Sequence, residues 1–290
     1  DCRASGDRQL AESRRIGGHA GRILIPKEHG AWAMLLVPYL TGTAAVATSV
    51  APQSFFGLAG VVLLFFSRPP LMLLLKRKSI DGSFGEGSRA LWLNFLFFAV
   101  PGLAVFLLIT VVHGLWQLPL LGSAGLLMFV LHTAQALRRK ERSAAGEYLG
   151  GAMLTITAPL AVYLSCAELL TREAAMLWLL NAIYFGATIY FIKMFIRAAS
   201  WRGKRLNLGE KLNLGRNSLV YLAAGALVLT VVTALSWVPA YALIAFVPIY
   251  VHVVRNIFTL RPGMNLKLEG FIQAGLSLVW AGLLITFYRV

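Results

Sequence analysis

Charge is what this 290-residue sequence has least of: 13% of its residues are Asp, Glu, Lys or Arg, against roughly a quarter in an ordinary globular chain. Acid is scarcer than base, with 12 Asp and Glu beside 27 Lys and Arg, for a net charge of +15. With 58% hydrophobic residues and a mean hydropathy of +0.71, this lack of charge excludes both a soluble enzyme and a disordered protein. Cysteine is nearly missing as well. Cys2 and Cys166 alone exclude a disulfide scaffold and give no metal spacing or redox motif. No Gly-rich phosphate loop, Ser nucleophile elbow or haem attachment motif occurs. The basic residues are dispersed between apolar runs rather than gathered in one module, which argues against a nucleic-acid partner.

Long apolar runs are present in quantity. Residues 1–24 are polar and aperiodic and read as a disordered cytoplasmic tail, leaving 25–290 as a transmembrane helical domain. Apolar runs fall at 30–48, 55–75, 90–111, 118–137, 148–166, 175–196, 219–237, 240–258 and 271–287. Each is long enough to cross a bilayer. They are apolar throughout rather than alternating, so they are helices and not barrel strands. The expected fold is all-α: a polytopic membrane bundle of about nine transmembrane helices, with the lipid bilayer as its partner.

Of the 27 Lys and Arg, 25 precede the first run or sit at one set of alternate connections, and only Arg172 and Arg289 lie on the opposite side. This asymmetry predicts an N-terminus in the cytoplasm and, with nine spans, a C-terminus outside. The inner connections also hold most of the acids, so a functional site should open to the cytoplasm. One of them carries the direct repeat LNLGEKLNLGRN. Its alternating leucines would suit a segment lying along the membrane surface.

The stretch ILIPKEHGAWAMLLVPYL is the most informative. Pro26 suits the first turn of a helix, Glu28 the positive helix end and Trp32 the headgroup level. An anchor explains those three, but not why Lys27, Glu28 and His29 stand together. Here Glu28 and His29 are the candidate catalytic pair, as proton carriers, and Lys27 and Trp32 candidate ligand contacts. Arg68 lies inside the second run beside Pro69 and Pro70. Either the helix breaks there and Arg68 faces an internal cavity, or the helix ends near Arg68 and the side chain snorkels. Gly186, Tyr190, Lys193 and Arg197 share one helical face on the sixth run. His252, Asn256 and Thr259 share another on the eighth, and His132 and Gln135 on the fourth. Tyr190, Lys193, Arg197, His252 and Asn256 join Arg68 as candidate ligand-binding residues. His29, His132 and His252 show no metal-ligand spacing, and nothing in the sequence names a cofactor.

The motif Pro26, Lys27, Glu28, His29, Gly30, Ala31, Trp32 resembles the signature of the YwiC-like family of bacterial membrane proteins. Further likeness lies in the SRPP break, in ITAPLAVY and in the Lys193 to Arg197 helix end. In architecture the chain also resembles the UbiA-type intramembrane prenyltransferases, whose Asp-rich motifs after the second and sixth spans hold magnesium and a diphosphate. At those places this chain has only Asp81 and Glu86, and then Glu210. Magnesium needs carboxylates beside substrate phosphates, so the usual metal-dependent transfer is not implied. Basic residues at those places suit an anionic head held directly. The sequence therefore points to binding or modifying an amphiphile with an anionic head, a prenyl diphosphate or a lipid, in a cytoplasm-facing cavity onto which Glu28, Arg68 and Lys193 converge. The alternative is a non-enzymatic transporter or an accessory protein of a respiratory complex.

Overall fold

The computed structural model describes residues 26, 29–46, 50–82, 84, 88–138, 143–169, 171–201, 206–261 and 265–289. The expected tail, 1–24, and the candidates Lys27 and Glu28 lie outside the described residues.

Every described element is helical: α1 (His29–Val46), α2 (Pro52–Asp81), α3 (Ser88–His113), α4 (Leu118–Leu137), α5 (Ala144–Thr155), α6 (Thr157–Cys166), α7 (Arg172–Ala199), α8 (Leu208–Ala234), a 3-10 helix (Ala240–Phe246), α9 (Val247–Phe258) and α10 (Leu266–Tyr288). The chain is thus an all-helical, polytopic membrane-type bundle. Among the described residues eight helical segments are long and apolar enough to cross a membrane, and Gly30–Val46 is a shorter apolar helix. Two spans are jointed. Pro159 has no N–H for the Thr155 carbonyl, and the chain turns at Ile156 between α5 and α6. Pro248 stands at the start of α9, where the 3-10 helix gives way to α-helix.

Two sequence expectations are corrected here. The helix neither breaks nor ends at Pro69 and Pro70, because α2 runs on for 30 residues to Asp81. Transmembrane helices tolerate proline where neighbouring groups re-satisfy the freed carbonyls. At about 45 Å, α2 exceeds the bilayer core and carries Lys76, Arg77 and Lys78 past its apolar part. The LNLGEKLNLGRN repeat is not a separate surface segment. Asn207 caps α8 in a reciprocal capping box with Glu210, so most of the repeat forms the helix's first turns.

α7 is the centre of the bundle: 72% of its most apolar window is buried inside the protein, against 17–33% for α2, α3, α4, α8, α9 and α10. Those outer helices keep large apolar side chains such as Phe97, Leu107, Leu127 and Leu227 on the surface, where lipid tails meet them at no cost. Because lipid is as apolar as leucine, cohesion comes from close packing and interhelical hydrogen bonds. Gly42 of α1 lies directly on the Ala158 carbonyl of α6. Asn181 of α7 donates to Thr41 Oγ1 at 3.0 Å, Thr157 Oγ1 donates to the Leu35 carbonyl at 2.9 Å, and the Tyr39 hydroxyl donates to the Ser54 carbonyl. Two apolar cores result. One is built on α1 to α6, the other mainly on α7 to α10, and α1 and α6 feed both, with Leu35, Tyr39 and Ala161 in the first and Val37, Ala45 and Ala158 in the second. α1 also packs along α10.

Candidate functional site

On α9, His252 and Asn256 stand one turn apart. After the turn that follows, the Asn265 side chain caps α10 by accepting from the Lys267 and Leu268 amides at 3.0 and 3.3 Å. This cap places Glu269 in the first turn of α10, where the helix dipole favours a carboxylate. The two helices meet there: His252 Nε2 is 2.7 Å from Glu269 Oε1. Asn256 Nδ2 donates to the His252 carbonyl at 2.9 Å and lies 3.3 Å from the imidazole. Glu269 is 5% exposed. A carboxylate so buried in a membrane protein is stable only when paired, and His252 supplies the partner. Around the pair is a groove of about 370 Å³ between α9 and α10. Arg255, Thr259 and Asn265 give it a polar wall, and Leu268 and Ile272, both exposed, an apolar one.

A second cluster occupies another face of α7. Lys193 Nζ lies 3.1 Å from Glu147 Oε2 of α5. One turn back, Tyr190 stacks on Tyr221 of α8, their ring centroids 4.7 Å apart, and Tyr148 meets Tyr221 edge-on at 6.1 Å. The Tyr221 hydroxyl donates to the Ala182 carbonyl at 3.3 Å, passing over Gly186, where any Cβ would collide with it. Arg197, at the end of the same stripe, is exposed.

Tyr190 and Lys193 thus fall in one cluster and His252 and Asn256 in another, so these described residues form two clusters rather than one. Phe191, next to Tyr190 in the chain, turns the other way, with its ring 5.2 Å from that of His252. Trp32 sits on neither cluster. Its ring packs edge-on against Phe65 and Phe66 of α2, at 5.2 and 5.4 Å, and its Nε1 donates to the Pro26 carbonyl at 3.3 Å. Trp32 is thus fastened to α2, on which Arg68 is half-buried. His29 opens α1.

Sequence reasoning missed several buried or paired polar residues. Glu147 and Glu269 counted only as loop acids, because interhelical pairing leaves no periodic trace. Gln273, one turn beyond Glu269, is buried, as is Arg77 near the end of α2, 5% exposed. Among the described residues no three His, Cys, Asp or Glu side chains gather to hold a metal.

Comparison with known proteins adds a family. Residues 25–163 match the family model described as YwiC-like protein. The chain is also similar to the uncharacterized protein YwiC of Bacillus subtilis (strain 168), 28% identical over 178 residues, which is 61% of this chain and 68% of that protein. No solved structure matches. The matched segment holds the first-helix motif, helices α1 to α5 and most of α6, whereas the His252 groove lies beyond it.

Proposed function

We propose that this chain, which over residues 25–163 belongs to the YwiC-like family, binds an amphiphile with an anionic head in the groove between α9 and α10. The observation that carries this reading is the two-sided groove. Its polar wall presents the Arg255 guanidinium, which can take a phosphate or diphosphate oxygen pair through a planar fork. Its apolar wall, Leu268 and Ile272, is exposed on the side where acyl or prenyl carbons lie. Glu269 engages the His252 ring and holds its orientation, and Arg255 is the guanidinium on the groove wall. The basic asymmetry supports a cytoplasm-facing mouth in a bacterial inner membrane.

Native mass spectrometry of gently purified protein is the test. Wild type should retain an anionic amphiphile, and Arg255→Ala, an exposed substitution that disturbs no packing, should lose most of it. Retention of neutral lipids only, or equal retention by Arg255→Ala, overturns the reading. The Lys27, Glu28, His29 motif is proposed as the reactive or proton-carrying element of the same protein. Glu28→Gln and His29→Ala should then keep normal membrane abundance yet fail to complement a gene deletion. Full complementation by both would leave the motif an anchor.

A further inference from the structure

Below the His252–Glu269 pair, one face of α10 stays polar deep into the bundle. Glu269, Gln273, Ser277 and Trp280 follow at intervals of four, four and three residues, all buried on that face. They cover about 16 Å of the helix axis. Gln273 is 8% exposed, and neither its amide nitrogen nor its amide oxygen has a partner. Trp280 stacks on Tyr184 of α7, centroids 4.4 Å apart, and the Trp280 Nε1 and Tyr184 hydroxyl are both buried without a partner. One turn further along α7, Asn181 is fully buried and uses its amide nitrogen on Thr41, while its Oδ1 has no partner. Five polar atoms left unpaired along a single seam are far from the rule for buried side chains. In a bundle surrounded by lipid each would carry the full cost of desolvation. Such atoms are ordinarily satisfied by buried water, which needs polar partners in succession and finds them here.

The two ends of the seam differ. At Glu269 it opens on the groove. Beyond Asn181 and Trp280, one turn on in each helix, Leu177 and Leu284 are fully buried in the same apolar core.

We propose that this seam is an aqueous half-channel, which carries water, and protons along that water, from the groove to the middle of the bundle and is sealed on the far side by Leu177 and Leu284. Glu269 and His252 form its gate: a proton taken from the groove by either group passes to the water beyond Gln273 and returns the same way while the seal holds. The seam shares its mouth with the groove but stands on the buried atoms alone, so failure of lipid retention leaves it untouched.

Solvent access decides it. In a Cys2→Ser, Cys166→Ser background, purified protein carrying one added cysteine is exposed to silver ion, a water-sized thiol reagent that travels only through water. Thiols left unreacted are then counted with a maleimide after denaturation. Thr259→Cys, on the groove wall, should be blocked by silver, Ser277→Cys should be blocked as well, and Leu177→Cys should not. Adding Gln273→Leu to Ser277→Cys should abolish the silver reaction while elution on gel filtration stays that of the folded protein. A Ser277→Cys thiol that ignores silver while Thr259→Cys reacts overturns the half-channel, and so does a Leu177→Cys thiol that reacts as readily as Ser277→Cys. Protons are tested in vesicles loaded with a pH dye under a potassium diffusion potential. Leu284→Ala should raise proton leak over wild type, and an unchanged leak in a folded Leu284→Ala protein overturns the proton path.

Discussion

Gly186 has no side chain, and the Tyr221 hydroxyl occupies the place where one would begin. Gly186→Ala should therefore push Tyr221 off the Tyr190 ring and destabilise the protein by about 1–3 kcal/mol, the usual cost of overpacking. Thermal unfolding in detergent, read beside near-ultraviolet dichroism of the tyrosines, checks both parts. Lys193 and Glu147 form the ion pair at that level, with side chains 14% and 35% exposed. A double-mutant cycle of Lys193→Met and Glu147→Gln should give a coupling energy of about 1 kcal/mol, and a value near zero would mean that the pair contributes no stability. At this scale the sequence was half legible. Helical spacing put Tyr190 with Lys193 and His252 with Asn256, because residues on one helix obey a fixed period. Glu147, Glu269, Tyr221 and Gln273 escaped it, since which helix meets which is settled by packing that no single helix encodes.

Whole helices were easier to read than their ends. Eight of the nine apolar runs of the sequence return as helices long enough to span, and the first as the shorter apolar helix Gly30–Val46, because a bilayer demands about 20 apolar residues and satisfied backbone. The misjudged ends lie where polar residues extend a helix beyond its apolar part: at Asp81 of α2, where Gly82 terminates it in a left-handed turn, and at Asn207 before α8. Contact between elements hinges on small residues. Gly42 brings α1 onto the Ala158 backbone, and Gly42→Val would force the two helices apart. The expected loss is about 1–3 kcal/mol, measured as a lower unfolding temperature. An unchanged temperature would show that α1 and α6 can repack. Trp32 joins α1 to α2 through Phe65 and Phe66. Trp32→Phe keeps an aromatic ring but removes the bond to Pro26, and should cost about 1 kcal/mol.

For the molecule as a whole, orientation is the property that composition predicts most directly. With the basic end in the cytoplasm, a cysteine at Gly209, in the first turn of α8, should be protected from impermeant reagents in intact cells. One at exposed Ser236, beyond the opposite end of that helix, should be labelled. The reverse pattern would invert the topology and turn the groove outward. Of the groove only the α9 side was legible, as the shared face of His252, Asn256 and Thr259; its α10 side and the buried polar face of α10 were not, because they depend on which helices meet and no local motif marks that. The legible motif sits in the part of the chain that matches the YwiC-like model, residues 25–163, whereas the groove is built from His252 to Ile272.

The contact between α1 and α10 also constrains how the protein is made. A ribosome delivers α1 into the membrane early and α10 more than two hundred residues later, so one flank of α1 has only lipid for company until the last span arrives. Assembly is then complete only when α10 docks, and a chain stopped short of it offers membrane proteases a helix with an unclaimed flank. Truncation before Leu266 should for that reason shorten the lifetime of the entire polypeptide, including the α1 to α6 segment that α10 helps to cover, and a pulse-chase of the truncated chain would measure it.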